Sequence, residues 1–176
     1  DMRSIIGGYQ DVCGAVIQRY EGHVARFMGD GVLAYFGWPR AHEDDAERAV
    51  RAGLAVAAAI GELTAGDGTP LAARVGIATG QVVVGDLIGG GAAQEEVVGE
   101  TPNLAARLQG LAAPGSVVIA AATQHLIGGL FELVDLGWLE LRGFGGEVRA
   151  WRVVGYSRAE SRFAASAASA SACIRT

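Results

Sequence analysis

Apolar residues recur at three- and four-residue steps over 3–20: Ile5, Ile6, Tyr9, Val12, Cys13, Val16, Ile17 and Tyr20 fall on one side of a helical wheel. That spacing predicts an amphipathic helix, with Gly22 placed to end it. The period then shortens. His23 to Met28 and Val32 to Phe36 are apolar runs on either side of Gly29-Asp30-Gly31, the pattern of a hairpin. Trp38-Pro39-Arg40 reads as a loop. Over 43–64 the helical period returns, with Ala46, Ala49, Val50, Leu54, Ala57, Ile60 and Leu63 as the buried stripe. Glu43, Asp44 and Asp45 crowd its first turn, where the peptide dipoles favour anions, so they read as capping residues.

Segments 71–79 and 81–87 are apolar and β-rich, with Gly80 between them, and 89–93 is a loop of small residues. Val97-Val98 is a short strand. Thr101 is placed to cap a third helix, with Pro102 at its first position, where a missing N–H is harmless. A strand at 117–119, a short helix at 121–127 and strand-like pieces near 131–135, 138–141 and 147–154 follow. From 157 to 176 the chain is rich in Ala and Ser and has no stripe, which predicts a disordered tail. Helices alternating with hairpins predict an α+β sandwich with a mainly antiparallel sheet. The expected division is one domain over 1–155 and a tail over 156–176.

Composition narrows the function classes. A chain of 176 residues that is 51% hydrophobic can bury a core as one domain, which excludes disorder by low hydrophobicity. A net charge of −5 offers no basic footprint for nucleic acid. Cys13 and Cys173 make neither a disulfide framework nor a metal pattern, so a reducing, cytoplasmic setting is expected. No apolar run is long enough to span a bilayer, and no signal peptide opens the chain. The first residues, Asp1-Met2-Arg3, are not an initiator methionine, so upstream sequence is expected.

Three segments carry specific chemistry. They are Arg26-Phe27-Met28-Gly29-Asp30-Gly31-Val32-Leu33-Ala34-Tyr35-Phe36-Gly37; Arg74-Val75-Gly76-Ile77-Ala78-Thr79-Gly80 running on to Val84-Gly85-Asp86; and Val97-Val98-Gly99-Glu100-Thr101-Pro102-Asn103-Leu104-Ala105-Ala106-Arg107. On residue type alone, Asp30 is a hairpin-turn aspartate. Asn103 and Arg107, four apart on a helix, share one face, and alone they read as a solvated surface. Arg142 before Gly143 is a basic residue near a turn.

In this order and spacing the segments resemble bacterial class III adenylyl cyclase domains, over about residues 1 to 155. The resemblance implies a ferredoxin-like α+β sandwich that converts ATP to 3′,5′-cyclic AMP and pyrophosphate. It implies that Asp30 is one of two carboxylates holding a pair of Mg²⁺ (or Mn²⁺) ions, which activate the ribose 3′-hydroxyl. It assigns Asn103 to orienting the ribose, Arg107 to the charge developing on the transferred phosphate, and Arg142 to the terminal phosphates. It also implies head-to-tail pairing, as a homodimer or with another cyclase domain, in which one chain supplies the metals and the other the base, Asn and Arg contacts.

The chain departs from that pattern in two ways that matter. The family's first strand, which carries the other metal aspartate and leads into the phosphate-wrapping loop, has no counterpart ahead of the first helix; Asp86 is the next carboxylate to consider. Without that central strand, Val24, Met28, Val75 and Ile77 are expected to lose a neighbour and the sheet to loosen. At the base pocket, Arg26 stands where adenylyl cyclases carry lysine, and Glu96 stands three residues before Gly99. The pair can address adenine, can address guanine in GTP, or can bind each other. A cyclase is the leading expectation; a non-catalytic cyclase-like dimerisation or regulatory module is the alternative.

Overall fold

A computed structural model describes residues 2–85, 96–157 and 171–175, with the side chains of residues 2, 85, 96–98, 171 and 172 left out of the description. Helix α1 (Met2–Arg19) leads into the hairpin β1 (His23–Met28) and β2 (Gly31–Phe36). Helix α2 (Asp45–Gly61), β3 (Val75–Gly80), β4 (Val83–Gly85), β5 (Glu96–Val98) and α3 (Glu100–Leu111) follow. The chain continues through β6 (Val117–Ala120), α4 (Ala121–Ile127), a short 3₁₀ turn, β7 (Phe131–Glu140) and β8 (Glu147–Tyr156). The two strand-like pieces expected at 131–135 and 138–141 are one strand, β7, bulged between Asp135 and Gly137. The loop expected at 89–93, residues 86–87 of the expected strand and residues 158–170 of the tail lie outside the described residues.

The tail expectation needs correction. Ser171–Arg175 form a ninth strand, β9, inside the main sheet, whose order is β1-β2-β9-β3-β6-β8-β7. It runs antiparallel to both neighbours, pairing Leu33 with Arg175 through Phe36 with Ala172 on one side and Gly76 with Arg175 through Gly80 with Ser171 on the other. The gap expected at the centre of the sheet is therefore filled, and β2 and β3 each have a partner on that side. The reason is physical. Both strands bury both faces, so their inward-facing backbone groups need partners that water cannot supply. A short Ala-Cys-Ile segment can provide those hydrogen bonds and fit between the layers.

Alternation along the strands divides the core in two. Val32, Ala34 and Phe36, with Ile174, Val75, Ile77, Val117 and Ile119, pack against Cys13, Val16 and Ile17 of α1 and the stripe of α2. Leu33, Tyr35, Cys173, Ala78 and Val118 pack on the opposite face, against Ala105 and Leu108 of α3. Every residue of β2 is buried, which its unbroken apolar run suits in a strand covered on both sides.

Gly76 lets α3 approach. A Cβ there would overlap the carbonyl oxygen of Ala105 and the amide nitrogen of Gln109. Backbone cannot yield as a flexible side chain does. Gly76→Ala is therefore expected to cost about 3 kcal/mol, the upper range of overpacking, read as a lowered urea midpoint. An unchanged midpoint would show that α3 does not sit this close.

Two local expectations also change. The acidic start of α2 is an ion-pair network rather than a cap: Asp44 makes no side-chain capping bond. Instead Arg48 donates to Asp44 (2.9 Å), Asp45 (2.5 Å) and the Tyr20 carbonyl (3.1 Å), which ties α2 to the end of α1. Helix α3 begins at Glu100, so Thr101 lies inside it and donates its hydroxyl to the Gln81 carbonyl at 3.0 Å. Cys13 and Cys173 are both free and buried, and no described helix is long and apolar enough to cross a membrane.

Candidate functional site

The β1–β2 turn is two residues long, with Met28 paired to Gly31. Gly29 takes a φ of 60°, a left-handed conformation that glycine adopts without strain. Gln10 of α1 donates to its carbonyl at 3.0 Å and steadies the tip. This holds Asp30 exposed, on the wall of an open cavity of about 440 Å³. Ile5, Ile6 and Tyr9 of α1, Arg74 ahead of β3 and Gln109 of α3 also line it. Arg74 and Gln109 were not singled out for this wall by the sequence, because only the tertiary fold carries the end of α3 and the start of β3 to the hairpin tip.

Arg26 lies two residues before the end of β1 and is half-buried. It pairs with Leu33, which pairs in turn with Arg175. Directly opposed residues share a face, so Arg26, Leu33 and Arg175 all lie on the side of the sheet that α3 covers. Leu33 belongs to the core cluster built around Ala105 and Leu108.

Asn103 and Arg107 are exposed, while Thr101, Ala105 and Leu108 of the same helix are buried. At 100° per residue, Asn103 and Arg107 therefore point away from the sheet. The Arg107 guanidinium lies 3.9 Å from where a Cβ of Gly143 would stand. It thus reaches the β7–β8 turn beside Arg142. Arg142 lines a separate cavity of about 390 Å³ with Glu140, Phe144 and Glu147. Glu96 opens β5 and pairs with Gly85; its side chain and Asp86 lie outside the described residues.

The residues assigned from sequence thus form two groups within one chain. Arg107 and Arg142 come together at the β7–β8 turn. Asp30 lines a cavity that includes neither of them, nor Asn103. Among the described residues, Asp30 is the one carboxylate lining that cavity, and there is no cluster of three or more potential metal ligands. The described donor set alone does not fit a resident pair of divalent ions, which needs a second carboxylate.

The family model described as "Adenylate and Guanylate cyclase catalytic domain" matches residues 10–155. The chain is 30% identical over 162 residues to Adenylate cyclase 1 of Rhizobium meliloti (strain 1021), covering 89% of this chain and 24% of that protein. Another Rhizobium meliloti relative, an uncharacterised protein, is 33% identical over 93% of this chain and 16% of its own length. The chain therefore spans a quarter or less of these relatives. Among structures, it is similar to the guanylate cyclase domain of RhGC from Catenaria anguillulae in complex with GTP, with a TM-score of 0.83 and 26% identity, covering 89% of this chain and 85% of that one. It is also similar to the adenylyl cyclase CyaB from P. aeruginosa, with a TM-score of 0.79 and 27% identity, covering 89% and 83%.

Proposed function

Because the chain belongs to the adenylate and guanylate cyclase catalytic domain family, we propose that it serves as a nucleotide cyclase domain acting on ATP, with a second cyclase domain completing each site. The observation that carries this reading is the separation of the two groups: Asp30 lines a cavity that Asn103 and Arg107 do not share, while those two point outward from α3. Outward-pointing polar groups on one copy can meet the hairpin tip of another. A homodimer then contains two sites.

Each side chain has a role its chemistry suits. Arg107 donates several hydrogen bonds from a planar guanidinium to phosphate oxygens as charge builds on them. The Asn103 amide holds the ribose so that its 3′-hydroxyl faces the α-phosphate. Arg142, beside Arg107, neutralises terminal phosphates. Arg26 donates to a ring or carbonyl acceptor of the base, and Glu96 accepts from its amino group. Mg²⁺ would arrive with the nucleotide, and Asp30 would offer it one carboxylate.

Residues 1–176 alone are expected to form no cyclic nucleotide from ATP or GTP with Mn²⁺, because a symmetric dimer repeats whatever each site lacks. A polypeptide extended upstream of Asp1 is expected to form cyclic AMP. Cyclic AMP from 1–176 that disappears in Asp30→Ala would overturn the first expectation and point to Asp86. Failure of the extended protein with both nucleotides would overturn the second.

Base choice has its own test. Arg26→Lys with Glu96→Thr is expected to raise the ratio of kcat/KM for ATP over GTP in the extended protein, since an ammonium and a hydroxyl present a different donor–acceptor pattern. An unchanged ratio would remove both residues from base reading.

A second reading, a non-catalytic cyclase-like module, is favoured by one observation. The strand at the centre of the sheet offers Cys173 and Arg175 on the α3 side, and no carboxylate.

A further inference from the structure

Among the described residues, β9 is the only strand joining the β1–β2 hairpin to the rest of the main sheet. Arg26 and Asp30 lie on one side of it. On the other are β3, β6, β8, β7 and helix α3, which bear Asn103, Arg107 and Arg142. Each neighbour of β9 has a second partner: β2 pairs with β1 through a two-residue turn, and β3 pairs with β6. β9 has no chain neighbour beside it in the sheet. It is reached from β8 through 157–170, with β6 and β3 lying between β8 and β9.

Such a strand is both needed and weakly tied. It is needed because Cys173 and Ile174 are fully buried, one in each core cluster, and because β2 and β3 would otherwise face each other with unpaired backbone. It is weakly tied because its pairings are non-local and only five residues long, so it can open without its neighbours' own hairpin or parallel pairings breaking.

The connection leaves room for exchange. Thirteen residues, 158–170, can span up to about 45 Å when extended. Crossing from β8 to β9 takes three strand spacings, about 14 Å, and returning about nine residues along the sheet to the level of Ser171 adds about 30 Å, a diagonal of about 33 Å. The length exceeds what closure within one chain requires. The same segment of a second copy would make the same backbone pairs in the same slot.

We propose that the slot between β2 and β3 is a strand-acceptor site, filled reversibly by segment 171–175 and able to take that segment from a second copy of the chain. Docking of the strand fixes the hairpin that carries Arg26 and Asp30 against the half that carries Asn103 and Arg107; its release uncouples them. The bearing on catalysis rests on the cyclase reading above. The exchange itself does not, and it can be tested without nucleotide.

Two measurements on the whole chain decide it. In the wild-type protein, amide hydrogens of β9 are expected to exchange at least about tenfold faster than those of β6, because β9 opens on its own while β6 waits for larger unfolding. Equal rates would mean that β9 leaves only when the whole sheet does, which overturns reversible docking. The second measurement uses Ala78→Cys. Ala78 is the direct partner of Cys173 across β3 and β9. Opposed Cα atoms in an antiparallel pair stand about 4.5–5.5 Å apart, within disulfide reach. Burial pushes the Cys173 thiol up to about 12, so bridge formation reports openings of the slot. Oxidation of this variant is expected to give both an internally bridged monomer and a covalent dimer. The dimer share should rise in proportion to protein concentration while it is small, about tenfold for a tenfold increase, by mass action. A bridged monomer at every concentration would overturn exchange between copies. No bridge in a folded variant would overturn the placement of β9. Failure of the cyclase reading would leave both results unchanged.

Discussion

Ile174→Asp is expected to lower the thermal midpoint by about 10 °C. Ile174 is fully buried in the larger core cluster, between β2 and β3. The substitution loses about 2–3 kcal/mol of apolar burial and places a carboxyl in a cluster of apolar side chains. The total, about 3–5 kcal/mol, is limited by the alternative of releasing β9 altogether. In a domain of this size each kcal/mol moves the midpoint by about 2–4 °C. Burial would raise the new carboxyl's folded pKa above its unfolded value. The loss should therefore be smaller below the ordinary carboxyl range, about pH 4, and grow as pH rises through it. Ile174→Val, which keeps the shape, should stay within about 1.5 kcal/mol of wild type. Circular dichroism melts of the three proteins check this. An aspartate variant that melts with the wild type would show that β9 does not occupy the centre of the sheet.

On the proposed reading, Arg107→Ala is expected to lower kcat by about 10²–10³-fold in a cyclase-active protein while moving KM far less, because its donors would meet charge that develops only as the α-phosphate is attacked. The side chain is exposed, so the melting midpoint should hardly change. That separates a lost transition-state contact from a damaged fold. Arg107→Lys should recover only part of the rate, since a point charge cannot supply the guanidinium's parallel hydrogen bonds. Near wild-type turnover in the alanine variant would remove Arg107 from the chemistry. A second check uses the neighbouring turn: the guanidinium lies 3.9 Å from where a Cβ of Gly143 would stand, next in the chain to Arg142. A double-mutant cycle on Arg107 and Arg142 would measure their coupling.

Much of this was legible in the sequence, and for local reasons. Periods of 3.6 and 2 are set by residue spacing, so α1, α2, the β1–β2 hairpin and β3 could be read directly, with helix ends shifting by one to three residues. The unbroken apolar run from Val32 to Phe36 suits the two buried faces that the structure gives this strand. The Asp30-Gly31 step placed the aspartate at a hairpin turn, and the structure shifts that turn by one residue to Gly29-Asp30, with Gly31 already in β2. Three motifs in one order pointed to the family, and comparison of residues 10–155 bears that out.

The centre of the sheet was not legible. Segment 171–175 carries no periodic stripe and stands in an Ala/Ser-rich stretch, so local propensity argued for a tail. Its place depends on a slot between two strands that lie more than ninety residues upstream, each with backbone groups that only another strand can satisfy. The same holds for the meeting of Asp30 with Arg74 and Gln109, and for Arg107 reaching Gly143. Local spacing decided which residues became helices and strands. Long-range pairing and packing, whose energies appear only once the chain has closed, decided which strand stands in the middle and which charges share a cavity.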